Sequence, residues 1–248
     1  MKMTTTELPE ALDQVSLAMF ELLWGQDRPT VLTAVDQAYE WIWRQLIVTA
    51  GKESKRLSDV ALSAQLQISR TPIRQALDRL AQEGLIQFDP RRGFWTYVFT
   101  AQDVHEIYDI REANEVLALR LAIPHLQEDD LKAQLNTLST IRVSLPQLDI
   151  AFFLKSDLRL HNLLIHASGN GRLIRFLAAL RSQLALFQVR DTWYPHRIET
   201  ALNDHEQILL ALLDRNTEQA ARLLSEHIAH AKAGVLVDMF YKEEEGKG

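Results

Sequence analysis

The stretch Leu57–Gly93, LSDVALSAQLQISRTPIRQALDRLAQEGLIQFDPRRG, constrains the fold more than any other part of the chain. Ile73, Ala76, Leu77 and Leu80 fall at i, i+3, i+4 and i+7, which on a helical period makes one apolar stripe. Arg70, Thr71, Arg74, Gln75 and Asp78 are left for the opposite side. Pro72 lacks an amide hydrogen but fits a first helical turn, where Ser69 or Thr71 can cap, and Gly84 ends the helix. Leu85–Phe88 then reads as a strand, Asp89–Gly93 as a turn, and Phe94–Val98 as a second strand. With a shorter helical pattern upstream, the expectation is a winged helix-turn-helix whose hairpin has a basic tip.

Two arginines on a surface helix are ordinary, so the combination has to carry the functional reading. Ser69, Arg70 and Thr71 occupy the helix start and Arg74 lies one turn on. Hydroxyls and free amides there can hold phosphates, and two arginines a turn apart can reach guanine edges in a major groove. Arg91 and Arg92 at the hairpin tip make a second phosphate grip. The overall charge of −6 looks wrong for a partner of DNA. Its distribution answers this: residues 51–100 hold eight Lys/Arg against five Asp/Glu, so this segment is +3 and the rest −9. The field near the patch decides contact.

The 248 residues suffice for two domains. With no cysteine, disulfides and thiol chemistry are excluded, and any metal must be held by His, carboxylate or water. No apolar run reaches the length of a membrane span and no signal peptide is visible, so a cytoplasmic location is expected. Residues 1–30 are read as an N-terminal extension with one amphipathic helix over Glu10–Trp24. Residues 31–99 are read as the winged domain and 103–240 as a helical domain. Thr100-Ala-Gln-Asp103 has the form of a capping box. Six helices are placed near 101–123, 127–144, 148–168, 171–191, 196–214 and 217–241. Breaks fall at Pro124, Pro146, Gly169-Asn170-Gly171, Pro195 and Asp214-Arg215-Asn216. The fold class is therefore mostly α: a winged helix-turn-helix followed by an all-α six-helix bundle.

Four bundle residues carry a site hypothesis. Asp157 and His161 are four apart on one helical face, His205 lies beside Ile208, Leu209 and Leu212, and His227 lies among Leu223, Leu224 and Ile228. Unpaired polar rings on inward stripes are costly, whereas three imidazoles and a carboxylate can share one divalent cation. Each residue alone reads equally as a surface pair or a satisfied core histidine, and His166, His196 and His230 show that histidine is plentiful here.

Tyr39–Val98 resembles the DNA-binding domain of GntR-type bacterial transcription regulators. The resemblance rests on the opening helix AYEWIWRQLI, the run LSDVALSAQLQISRTPIRQALDRLAQEGLI with its SRTPIRQAL string, and PRRG. It implies a homodimer on a palindromic operator in double-stranded DNA, with contacts from Ser69, Arg70, Thr71, Arg74, Arg92 and Gly93. The chain departs from that pattern at Gly51–Lys55, where Pro-Gly is usual, and at Val60, where some members place an arginine. Residues 103–235 resemble the FCD effector domain through IYDIREANEVLALRLA, SDLRLHNLLIHASGN and DHEQILLALLDRNTEQAARLLSEHI. That resemblance maps metal ligands onto Asp157, His161, His205 and His227. One divalent ion per subunit is expected; histidine-rich ligation without thiolate allows Zn, Ni, Fe, Mn or Co, with Zn first because it is common and tolerates this ligand set. Such a cation would keep open positions and about one net positive charge for a small carboxylate effector. Arg111 is read as a bidentate grip on that effector or else a surface charge, and Asn170 as a helix cap or a pocket contact. The expected function is a metabolite-responsive regulator, most simply a repressor, and not an enzyme. A metal-dependent enzyme and a regulator with a purely structural metal are the competing readings.

Overall fold

Apolar spacing becomes packing in the computed structural model, which describes residues 16–17, 19–21, 31–49, 54–145, 150–191 and 195–237. The chain divides into two units, Met1–Phe99 with Ser182–Leu186, and Thr100–Arg181 with Phe187–Gly248.

In the first unit, α1 (Ala34–Thr49) is started by Thr33. Its amide donates to Asp36 Oδ2 at 3.1 Å while its hydroxyl accepts from the Asp36 amide at 3.2 Å, a reciprocal cap. Ala38, Tyr39, Ile42, Trp43 and Leu46 form the buried face of α1, and α1 packs on α3 (Arg70–Gln82). The α3 face is the stripe Ile73, Ala76, Leu77 and Leu80, each fully buried. Between them, α2 (Asp59–Leu66) is capped by the Ser58 hydroxyl, and Gln67 in the left-handed region turns the chain towards α3. Ser69 holds the N-cap position of α3, but neither capping expectation is met in full: its side chain makes no capping bond. The hydroxyl is left at an exposed helix start.

The wing is three-stranded rather than a plain hairpin. β1 (Arg56–Leu57) pairs with β3 (Gly93–Thr96), which pairs with β2 (Ile86–Asp89), all antiparallel in the order β1-β3-β2. Two residues are too few to show a period of two, so β1 is illegible in sequence and exists through pairing Arg56 with Trp95 and Leu57 with Phe94. The strand expected to run to Val98 stops at Thr96. At the tip, Asp89 Oδ1 accepts from the amides of Arg91 and Arg92 at 2.7 and 3.0 Å, and Gly93 takes φ +83°. Of the amphipathic helix expected over Glu10–Trp24, residues 16–17 and 19–21 are helical, and Ser16, Met19 and Phe20 are buried. Phe20 meets the Trp43 ring edge-on with centroids 5.6 Å apart. The rest of that helix lies outside the described residues.

In the second unit, the helices are α4 (Ala101–Ala122), α5 (Glu128–Ser144), α6 (Ile150–Ala167), α7 (Gly171–Asp191), α8 (Pro195–Leu213) and α9 (Thr217–Leu236). Their ends fall close to the expected breaks, though the last was expected to reach 241 and residues beyond 237 are not described. The Thr100–Asp103 capping box forms as expected. Asn216 caps α9 by accepting from the Gln219 amide. Pro124 follows α4 and sits in a single 3-10 turn, Ile123–His125. α9 packs on α4 and α8, α6 packs on α4 and α5, and α5 packs on α8. This arrangement turns one face each of α4, α6, α8 and α9 towards a shared interior. No helix among the described residues is long and apolar enough to cross a membrane.

Candidate metal centre and nucleic-acid interface

The residues proposed for DNA sit where a surface reader would need them. Ser69, Arg70, Thr71 and Arg74 at the start of α3 are exposed, as are Arg91 and Arg92 at the wing tip, with Gly93 half-buried. One arginine at the start of α3 and one at the wing tip are held in place. Arg70 Nη2 donates to Asp59 Oδ2 at 2.8 Å, and this bond holds the Asp59 carboxyl below the usual carboxylate range. The Arg92 guanidinium lies 4.5 Å from the centre of the Trp95 ring, whose indole N–H donates to the Arg92 carbonyl. Val60, the departure noted above, is 55% exposed.

In the bundle, Asp157 and His161 on α6, His205 on α8 and His227 on α9 come together. One ligand atom from each lies within 4.8 Å of the other three. Metal–ligand bonds of about 2.1 Å put ligand atoms about 3.4 Å apart around a tetrahedral ion, so the widest pair would close by roughly 1.4 Å on binding a cation. His205 is fully buried, and His161 and His227 nearly so. Only Asp157 reaches the edge, with 11% of its side chain exposed. His205 Nε2 is 3.2 Å from His227 Nε2 and 3.5 Å from Asp157 Oδ1. His205 Nδ1 is buried with no hydrogen-bond partner.

Burial, and then the neighbouring His227, His161 and Arg111, push the His205 imidazole well below its ordinary value. Burial likewise lowers His227 despite its bond to Asp204. Both rings are therefore neutral at pH 7, the state that leaves a nitrogen lone pair for a cation. Three imidazoles and one carboxylate without thiolate suit zinc and its neighbours among divalent transition ions. The donor set fits.

Arg111 departs from one of the two readings given to it. It is no surface charge: it is 2% exposed on α4. Its Nε donates to Glu115 Oε1 at 2.8 Å and its Nη2 approaches His161 Nε2 at 3.1 Å, so much of its fork is already committed. Glu115, also buried, accepts from His161 Nδ1 through its other oxygen at 2.5 Å. Burial opposes ionisation of Glu115, but Arg111 and His161 overcome it and hold the carboxyl well below its ordinary range. Sequence reasoning missed Glu115; the one signal was its place four residues after Arg111, which reads as a surface pair. Asp204 was missed as well. Its Oδ2 lies 3.4 Å from His227 Nδ1 and 2.8 Å from His230 Nδ1.

A cavity of about 330 Å³ opens beside the cluster, with Arg111, Asp157, Arg197, Asp204, His227 and His230 among its polar lining. Tyr108, Phe153, Leu154 and Ile198 supply apolar walls. Asn170 does not line it. The Asn170 side chain accepts from the amides of Arg172 and Leu173 at 3.2 Å, which caps α7.

A two-unit chain with a winged helix-turn-helix and an all-helical partner defines a class, the two-domain DNA-binding regulators. Comparison with known proteins agrees. Residues 34–95 match the family of bacterial regulatory proteins, gntR family, and residues 106–230 match the FCD domain. The chain belongs to the GntR family of transcription regulators, in the branch that carries an FCD domain, and the proteins of this family that it resembles are regulators rather than enzymes. It is 29% identical over 208 residues to the HTH-type transcriptional regulator YdhC of Bacillus subtilis, covering 82% of this chain and 91% of that one. It is 28% identical to the Nta operon transcriptional regulator of Aminobacter aminovorans, over 71% and 82% of the two chains. It is 23% identical to the HTH-type transcriptional repressor RspR of Escherichia coli, over 80% and 87%. Among solved structures, E. coli McbR/YncC superposes with a TM-score of 0.66 at 22% identity, covering 86% of this chain and all of the other.

Proposed function

We propose that this DNA-binding regulator is a repressor that leaves its operator when a small carboxylate binds at a metal centre in the helical bundle. One observation carries the reading: a buried His₃/Asp cluster, with ligand atoms within 4.8 Å of one another, borders a cavity of small-metabolite size. Asp157, His161, His205 and His227 would hold the ion. A divalent ion, zinc first, would supply a Lewis-acid anchor for a carboxylate oxygen. Arg111 and Glu115 cancel in charge, so the loaded cluster would carry about one positive charge, which one carboxylate neutralises. Apolar walls from Phe153, Leu154 and Ile198 favour a short hydrocarbon body on that acid. The repressor sense is supported by the name of the RspR relative.

On DNA, Ser69, Thr71 and the α3 amides would hold phosphate, Arg70 and Arg74 would read base edges, and Arg92 with Gly93 would follow the backbone from the wing. Two copies of the chain would bind a palindrome, because symmetric half-sites match a two-fold dimer. Effector and operator are then coupled through one equilibrium, and each must weaken the other by the same factor. The test is an operator titration of the zinc-loaded protein against a panel of small carboxylates. Loss of affinity with one acid, together with reciprocal weakening of that acid by operator DNA, is expected. Operator affinity indifferent to every acid and to chelation would overturn the proposal.

A further inference from the structure

A neutral imidazole can bind a cation through one nitrogen only if its proton sits on the other. The surroundings of His161 leave one choice. Arg111 Nη2 lies 3.1 Å from His161 Nε2 and 3.5 Å from Nδ1, over the ring rather than on the lone-pair axis of either nitrogen, so it leaves the Nε2 lone pair free. An ionised carboxylate only accepts, and Glu115 Oε2 lies 2.5 Å from His161 Nδ1, so that nitrogen carries the hydrogen. His227 is set in the same sense, with Nδ1 3.4 Å from Asp204 Oδ2 and Nε2 turned to His205. Neither Glu115 nor Asp204 belongs to the four candidate ligands. They come from α4 and α8, whereas the rings that they touch come from α6 and α9.

We propose that Glu115 and Asp204 are the positioning residues of the metal centre, each holding one imidazole with its Nε2 lone pair facing the cluster before any cation arrives. Glu115 does so from a rigid mount, since its other oxygen is held by Arg111 at 2.8 Å. Asp204 also binds His230, an exposed histidine at the cavity rim, so its carboxylate joins the buried ring to the surface. His205 has no such acceptor, its Nδ1 being unpaired, and thus depends on its two partners for orientation. This inference rests on the metal reading of the cluster.

The experiment uses the full-length protein freed of metal. Long-range proton–nitrogen spectra of the imidazoles report tautomers directly, and His161 and His227 are expected with the proton on Nδ1. Zn²⁺ or Co²⁺ alone is then titrated into Asp204→Asn and into the double variant Glu115→Leu/Arg111→Met. The double variant removes the buried pair together, so that no charge is stranded. A 10- to 100-fold loss of cation affinity is expected in each, with recovery in Asp204→Glu. The Asp204 side chain is 19% exposed, so Asp204→Asn should keep the native melting midpoint and remain informative if the double variant fails to fold. Protons on Nε2 in the native spectrum, or native cation affinity in Asp204→Asn, would overturn the proposal. If the native protein binds neither ion, the metal reading falls on its own, while the tautomer spectra still decide whether the carboxylates position these rings.

Discussion

Replacing His205 by Leu separates a metal role for the cluster from a packing role. The ring is fully buried, and its Nδ1 has no partner. Removing an unsatisfied buried polar atom relieves about 1–3 kcal/mol, since that atom lost its water on folding and gained nothing in return. The same change strands His227 Nε2, which faces His205 at 3.2 Å, at a cost of the same order. The two effects nearly cancel, so the metal-free variant should melt close to the native protein. With metal the outcome parts. A ligand at one hundred times its dissociation constant stabilises by about 2.7 kcal/mol. For a protein of this size that is roughly 5–11 °C in the melting midpoint. Thermal unfolding followed by circular dichroism, with and without Zn²⁺, should show that rise in the native protein. His205→Leu should show little of it. An equal rise in both would remove His205 from the centre. A metal-free midpoint some 10 °C lower in the variant would make the ring a packing element and sink the reasoning.

Other expectations concern the first unit. Asp59→Asn should free the Arg70 guanidinium, raising affinity for random DNA while reducing discrimination at one operator position; competition binding at fixed salt measures both. Gly93→Ala should destabilise the wing by about 1 kcal/mol because φ is +83°, although nothing lies within 4 Å of the added methyl; chemical denaturation reads it. Leu77→Ala should lose about 2–5 kcal/mol, since the side chain is fully buried against α1. Burial, and then Glu83 at 2.5 Å, hold the Tyr39 phenol above its ordinary value. The folded phenol therefore keeps its proton while the unfolded one ionises. Stability is unaffected below pH about 10 and falls as pH rises past it, and Tyr39→Phe should flatten that alkaline loss in denaturation curves.

The readable parts of this molecule are those where a local rule and the tertiary context agree. Ile73, Ala76, Leu77 and Leu80 form the buried face of α3 because a helical period leaves them nowhere else to go. Thr100 and Asp103 cap α4 through contacts three residues apart, which need no partner from elsewhere. The turn residues Asp89 and Gly93 close the wing for the same reason, whereas β1 is two residues long and becomes a strand only because β3 offers it a partner.

The candidate centre divides along the same line. Asp157 and His161 share a face by their spacing of four, so the chain alone aligns them. That they meet His205 and His227 is a consequence of α8 and α9 packing across α4 and α6. Arg111 and Glu115 have the spacing of a solvent-facing pair, and amphipathic patterning on α4 does not separate them from Arg120, which does stay at the surface. Burial turned the same local pair into an ion pair seated against one imidazole, with Glu115 accepting from its Nδ1. Local spacing therefore determined which side chains share a helical face. Only the packing of four helices decided which of those faces lost its water, and with it which charges had to find one another.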